Sequence, residues 1–213
     1  MTPNRRGRPK ADPLRDLRRD LLVMSRQVLE EEGPAALSMR EVARRAGCTH
    51  QAPYHYFEDR ETILATLVIE GFDDLTARLR KANELADKKG VRAALLASGK
   101  AYVDFAVSQP GLFRIMFSPD VCNPQRFPQM MESGARARAE LDRLNVIVFG
   151  KEAKASQATI LWAHVHGLAC LLVEGPLLPH TKSRAQQAAH LRDVAEQFAD
   201  MTLAGCATPH GVK

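Results

Sequence analysis

The 213-residue chain has little of what marks most enzymes and metalloproteins. Its four cysteines, Cys48, Cys122, Cys170 and Cys206, are scattered, and no two form a C-x-x-C pair. That spacing excludes a zinc ribbon or a dithiol redox motif and leaves free thiols, the form expected in a reducing cytoplasm. No H-E-x-x-H occurs, and His164 and His166 stand two apart, roughly 200° around a helix, facing opposite ways, so no metal site is expected. G-x-S-x-G, P-loop and G-x-G-x-x-G strings are missing, so we expect neither an enzyme nor a cofactor. No uninterrupted apolar run reaches the roughly eighteen residues of a membrane span. The first residues are basic and lack the apolar segment of a secretion signal. Alternating strand patterns are missing throughout, which leaves an all-α fold.

What the chain has is helical periodicity and capping signals. Asp12-Pro13 reads as a helix start, and Leu14, Leu17, Leu21, Met24 and Val28 recur at spacings of three and four until Gly33-Pro34. Later helices are expected from Asp59 to about Lys89, Val91 to Ser108, Leu112 to Phe117, Gln125 to Phe149 and Glu152 to Glu174. The last runs from a Ser183-x-x-Gln186 capping box to Gly205.

The most informative stretch lies between Leu37 and Leu64, LSMREVARRAGCTHQAPYHYFEDRETIL. Ser38 can cap a helix, with Glu41 completing a capping box and Leu37 and Val42 closing a hydrophobic staple. Gly47 stops that helix, and Thr49 can cap a second one from His50 to Phe57, with Pro53 in its first turn. The small Ala43, one turn before Gly47, lets the second helix cross close to the first. This is the plan of a helix-turn-helix, whose second helix enters the DNA major groove. His50, Gln51, Tyr54 and His55 would form its exposed face.

These residues resemble the DNA-binding half of the tetracycline-repressor (TetR) family. The matching elements are the Ser38 cap, the Ala46-Gly47 turn, Tyr54-His55-Tyr56-Phe57, and Arg60 where the family usually has Lys. The resemblance implies that Ser38, Thr49, Tyr54, Tyr56 and Arg60 hold phosphates, while Arg40, His50, Gln51 and His55 reach bases. The charge agrees with a polyanionic partner. Residues 1–26 hold eight basic and three acidic side chains, which accounts for the whole net charge of +5. Arg5, Arg6, Arg8 and Lys10, around Gly7 and Pro9, resemble an AT-hook lying in a narrow minor groove. A phosphate-binding arm and a solubilising tail are the alternatives. The expected organisation is a basic arm (1–11), a DNA-binding domain (12–58), a helical ligand-binding and dimerisation domain (59–206) and a short tail (207–213).

The C-terminal half resembles a TetR-family domain type through Trp162-x-x-x-His166-Gly167. The resemblance implies an internal pocket and a dimer made by the last two helices. Phe72, Tyr102, Phe105, Phe113, Met116, Phe117, Met130, Met131 and Trp162 are the large side chains a lipophilic site would use, or else ordinary core. His166 is the polar candidate for orienting a ligand, or a buried structural histidine. Leu161, Leu168 and Leu172 on one helix and Leu191, Val194, Phe198 and Met201 on the next form stripes suited to a homodimer. The expected function is a ligand-responsive transcriptional regulator on a near-palindromic operator, most often a repressor, released by a small lipophilic effector. An architectural protein of A·T-rich DNA is the alternative.

Overall fold

The computed structural model describes residues 16–118, 120–177 and 183–207. Arg5, Arg6, Arg8, Lys10, the Asp12-Pro13 pair and residues 208–213 lie outside this set. The described residues form helices and turns and no strand. The chain divides into two compact units, Met1–Ile63 and Leu64–Lys213, with the division falling in the first turn of a helix.

In the first unit, α1 (Leu17–Glu32) is capped by Asp16, whose Oδ1 accepts the Arg19 N–H at 3.1 Å. It buries Leu21, Leu22, Val28 and Leu29. Ser25 lies among them because its hydroxyl donates to the Leu21 carbonyl at 2.7 Å, so no polar group is left unpaired. A 3-10 turn (Pro34–Ala36) leads to α2 (Met39–Arg45), capped by Ser38, whose Oγ accepts the Glu41 N–H at 3.1 Å. The Glu41 carboxylate does not reach back to complete the box; it pairs with Arg44 and Arg45. Arg45 also meets Glu31 at 2.5 Å and Glu32, so one guanidinium ties the end of α1 to α2. Hydrogen bonds from Arg44 and then Arg45 hold the Glu41 carboxyl down to about 2.

Asp59 caps α3 (Arg60–Asn83), its Oδ1 accepting the Thr62 N–H at 2.8 Å. The sequence pattern continues this helix to Lys89, but it stops at Asn83 and a short α4 (Ala86–Lys89) follows. Asn83 is buried in a polar knot at the break. Its Nδ2 donates to the Glu140 carbonyl at 2.9 Å and carboxylate at 3.2 Å, while Ser98 Oγ donates to its Oδ1 at 2.8 Å.

The second unit continues with α5 (Val91–Ser108), α6 (Pro110–Met116), α7 (Pro128–Phe149), α8 (Ala155–Val173) and α9 (Arg184–Ala207). The Ser183–Gln186 box at the start of α9 is complete, with bonds of 3.0 and 3.3 Å. Ala94, Leu95, Leu144, Val148, Leu161 and Ala199 join α5, α7, α8 and α9 in one core. Helix α8 has the length and composition of a membrane span, with a mean hydropathy of 1.3 over its best window. Its apolar residues are nonetheless not an uninterrupted run, because Ser156, Gln157, Thr159, His164 and His166 break it. Only 17% of that window is buried within the chain.

Candidate DNA interface and internal cavity

Helix α2 ends in a paired hydrogen-bond stop. The Cys48 N–H donates to the Ala43 carbonyl at 3.1 Å and the Gly47 N–H to the Arg44 carbonyl at 3.2 Å. Gly47 sits at φ 64, which a residue with a Cβ adopts only at a cost. The expected helix from His50 to Phe57 is instead a turn followed by a 3-10 turn at Ala52–His55. Pro53 has no N–H to give the Thr49 carbonyl, which takes the Ala52 N–H at 2.9 Å. Thr49 therefore acts through its main chain, and this turn has no side-chain cap.

The tight winding buries Pro53 and Phe57 and leaves Gln51, Tyr54, His55 and Tyr56 exposed. The Arg18 guanidinium lies over the Phe57 ring at 5.5 Å. Arg40 from α2 joins His50, Gln51 and Tyr54 around one concavity. Ser38 and Thr49 are exposed. Arg60 stands apart from this group. Its Nε donates to the Leu37 carbonyl at 2.8 Å and its Nη2 to the Pro34 carbonyl at 2.5 Å, so it holds the loop before α2.

The second unit holds a part-open cavity of about 620 Å³ whose wall is mostly apolar, with leucines and aromatics its largest share. Phe72, Tyr102, Phe117 and Trp162 line it, as do Leu161, Leu168, Leu191 and Phe198. Phe105, Phe113 and Met116 are buried but not part of the wall, and neither are the partly exposed Met130 and the exposed Met131. His166 also lies outside the wall. Its Nδ1 and the Tyr102 hydroxyl are hydrogen-bonded at 2.8 Å, and Phe117, Phe113 and Trp162 ring it at 4.7, 5.4 and 5.9 Å. Burial raises the Tyr102 hydroxyl well above its ordinary value and lowers both His164 and His166. At Gly71, α6 approaches α3 closely; a Cβ there would stand 2.6 Å from Met116 Sδ.

Comparison with known proteins decides the family. Residues 21–67 match the bacterial regulatory proteins of the tetR family, and residues 95–195 match the tetracyclin repressor-like C-terminal domain. The chain belongs to the TetR family. It is a DNA-binding transcriptional regulator of the helix-turn-helix type. HTH-type transcriptional regulators of Mycobacterium tuberculosis and Mycobacterium bovis are 23% identical over 112 residues, 53% of this chain and 48% of theirs. The chain thus spans about half the length of these curated relatives in the match. A solved Rhodococcus protein described as of unknown function is 28% identical, with a TM-score of 0.73 over 95% of this chain and all of that one. A TetR-family transcriptional regulator from Thermus thermophilus, PfmR, shares the fold with a TM-score of 0.61. It is 23% identical over 86% of this chain and 97% of that one.

Within this TetR-family chain the expected dimer stripes divide. Leu161 is buried in the core, and Phe198 packs against that core and stacks on His164, ring centroids 3.5 Å apart at 4°. Leu172 and Val194 are partly exposed, and Met201 is 74% exposed. Ile160 and Leu171, also on α8, are exposed although the sequence reading did not select them. It also missed Arg45, Asn83, Glu140 and His164. Each owes its role to a partner distant in sequence, which spacing does not reveal.

Proposed function

We propose that this TetR-family regulator is a homodimeric, ligand-responsive repressor, acting in the cytoplasm on a near-palindromic operator and released by a small lipophilic effector. The cavity carries the reading. Its volume falls in the range of small-molecule sites, and its wall is mostly apolar with a few polar groups. A two-fold dimer would present two copies of the Arg40, His50, Gln51 and Tyr54 concavity to successive major grooves. An effector would favour the dimer geometry that no longer matches that spacing. The exposed apolar residues of α8 and α9, Ile160, Leu171 and Met201, support a partner on that face. No catalytic step enters this reading.

The test is footprinting of genomic fragments by the purified chain, followed by effector screening against the bound complex. The reading expects a protected near-palindrome with half-sites about one helical turn apart, and release by an apolar compound. Equal binding to random A·T-rich DNA would favour an architectural protein instead.

A further inference from the structure

We infer that His164, rather than His166, is the side chain that orients the effector, and that the effector is a largely apolar, uncharged molecule bearing a hydroxyl group. This rests on the reading of the cavity as the effector site.

Most of the buried polar groups of the wall are already occupied. Ser98 donates to Asn83, Tyr102 pairs with His166, and Glu140 is held by Arg80 at 2.8 Å and by Asn83. Lys100 pairs with Asp104, and Arg138 with Asp142 at 3.1 Å. Arg192 and Glu196 are exposed to solvent. His164 lines the cavity, is partly buried, and has no hydrogen-bond partner for either ring nitrogen among the described residues. Its ring is fixed by the Phe198 stack, so it is a pre-positioned polar group rather than a mobile one.

Chemistry then selects the ligand. Burial keeps the imidazole neutral near pH 7, with one N–H donor and one acceptor nitrogen. A hydroxyl both donates and accepts, so it pairs with whichever nitrogen faces the cavity; an ether oxygen only accepts. The charged side chains of the wall balance, with Lys100, Arg138 and Arg192 against Asp104, Glu140 and Glu196. A charged ligand would therefore lose its hydration without a net compensating field. The volume holds about twenty groups of water size, enough for an alkylated ring.

Trp162 is the only tryptophan of the chain and lines the cavity, so its fluorescence reports occupancy directly. The full chain is titrated with 4-nonylphenol, its methyl ether and 4-nonylbenzoate, and compared with His164→Phe, which keeps an aromatic ring against Phe198, and His164→Gln, which keeps a donor and an acceptor. The wild type is expected to bind the phenol about tenfold tighter than the ether, and the benzoate weakest. His164→Phe should lose the phenol's advantage while its affinity for the ether stays the same. His164→Gln should retain part of that advantage. Equal binding of phenol and ether by the wild type overturns the hydroxyl class, and a phenol preference that survives His164→Phe overturns the role of His164. Tightest binding of the benzoate overturns the uncharged class. If no probe alters Trp162 fluorescence, the cavity reading itself fails, an outcome separate from the others. Should both variants fail to fold, the imidazole nitrogen resonances of the 15N-histidine-labelled wild type decide, and a phenol that binds without shifting those of His164 overturns its role.

Discussion

Gln51 and Arg60, expected to meet the same DNA at a base and at a phosphate, differ in the hydrogen bonds they already make. Gln51 is exposed in the concavity with Arg40, His50 and Tyr54. Gln51→Ala is expected to weaken operator binding by about 1–3 kcal/mol while random-DNA binding barely changes, measured by fluorescence anisotropy on both. Equal losses would make it a phosphate contact. Arg60, by contrast, spends its guanidinium on the Leu37 and Pro34 carbonyls. Arg60→Ala should therefore lower thermal stability by about 1–3 kcal/mol through lost charge-assisted bonds, with DNA affinity falling as a consequence. An unchanged Tm with weakened binding would return Arg60 to the phosphates. The two histidines of α8 give a pH dependence. Burial lowers His164 and His166 in the folded chain, so below about pH 6.5 the unfolded chain takes up protons that the folded one refuses. Stability should be flat above that pH, fall as pH drops below it, and level off under the folded values. Glu41 titrates in a different window. Its contribution is present above its ordinary 4.5 and is lost as pH falls toward about 2. Urea midpoints from pH 8 to 5 check the histidine window and those from pH 5 to 2 the Glu41 window, and a slope below pH 6.5 unchanged in the double variant His164→Phe/His166→Phe would assign that effect elsewhere.

At the scale of elements, ends written in local chemistry were legible. The Ser183–Gln186 box, the Asp59 cap and the Gly47 stop are each satisfied within a few residues of chain, so spacing alone finds them. Two boundaries were not. The long helix breaks at Asn83 where that side chain meets Glu140 and Ser98, partners 57 and 15 residues away. The recognition segment winds as a 3-10 turn because the hydrogen bond Pro53 lacks falls within a segment only eight residues long. Placing Pro53 in the first turn of an α-helix understated that effect. The contact of α6 with α3 is equally invisible in sequence and gives a sharp test. Gly71→Ala would put a Cβ 2.6 Å from Met116 Sδ and 3.2 Å from Leu112 Cδ2, both on buried side chains. We expect a loss of about 1–3 kcal/mol from overpacking, recovered in part by Met116→Ala in the same chain. Thermal melts of the two variants measure it, and an additive double variant would show that Met116 does not bear the clash.

For the whole molecule the decisive quantity is the apolar surface that one chain leaves open. The sequence offers Leu161, Leu168 and Leu172 of α8 and four residues of α9 as a dimer face, and the structure shows which of them the chain itself covers. Leu161 enters the core and Phe198 stacks on His164, so these residues are occupied within one chain. Phe198→Glu would damage the subunit and could not report on association. Leu171 is 45% exposed on a helix only 17% buried over its most apolar stretch, and Met201 on α9 is 74% exposed. A two-fold interface presents the same patch twice, so a charge placed on it meets the same residue of the partner or an apolar neighbour. Burying such an unpaired charge costs several kcal/mol. Leu171→Glu should thus produce a folded monomer, with helical content and Tm near those of the wild-type subunit and half the mass by sedimentation. Its operator affinity should drop by more than tenfold, because each half-site would be bound without its tethered neighbour. Random-DNA binding, which needs no operator spacing, should fall far less. A Leu171→Glu protein that stays dimeric and keeps its operator affinity would move the interface off this face of α8. A variant that unfolds would show that Leu171 supports its own subunit, and Met201→Glu, at the more exposed position, would then carry the test.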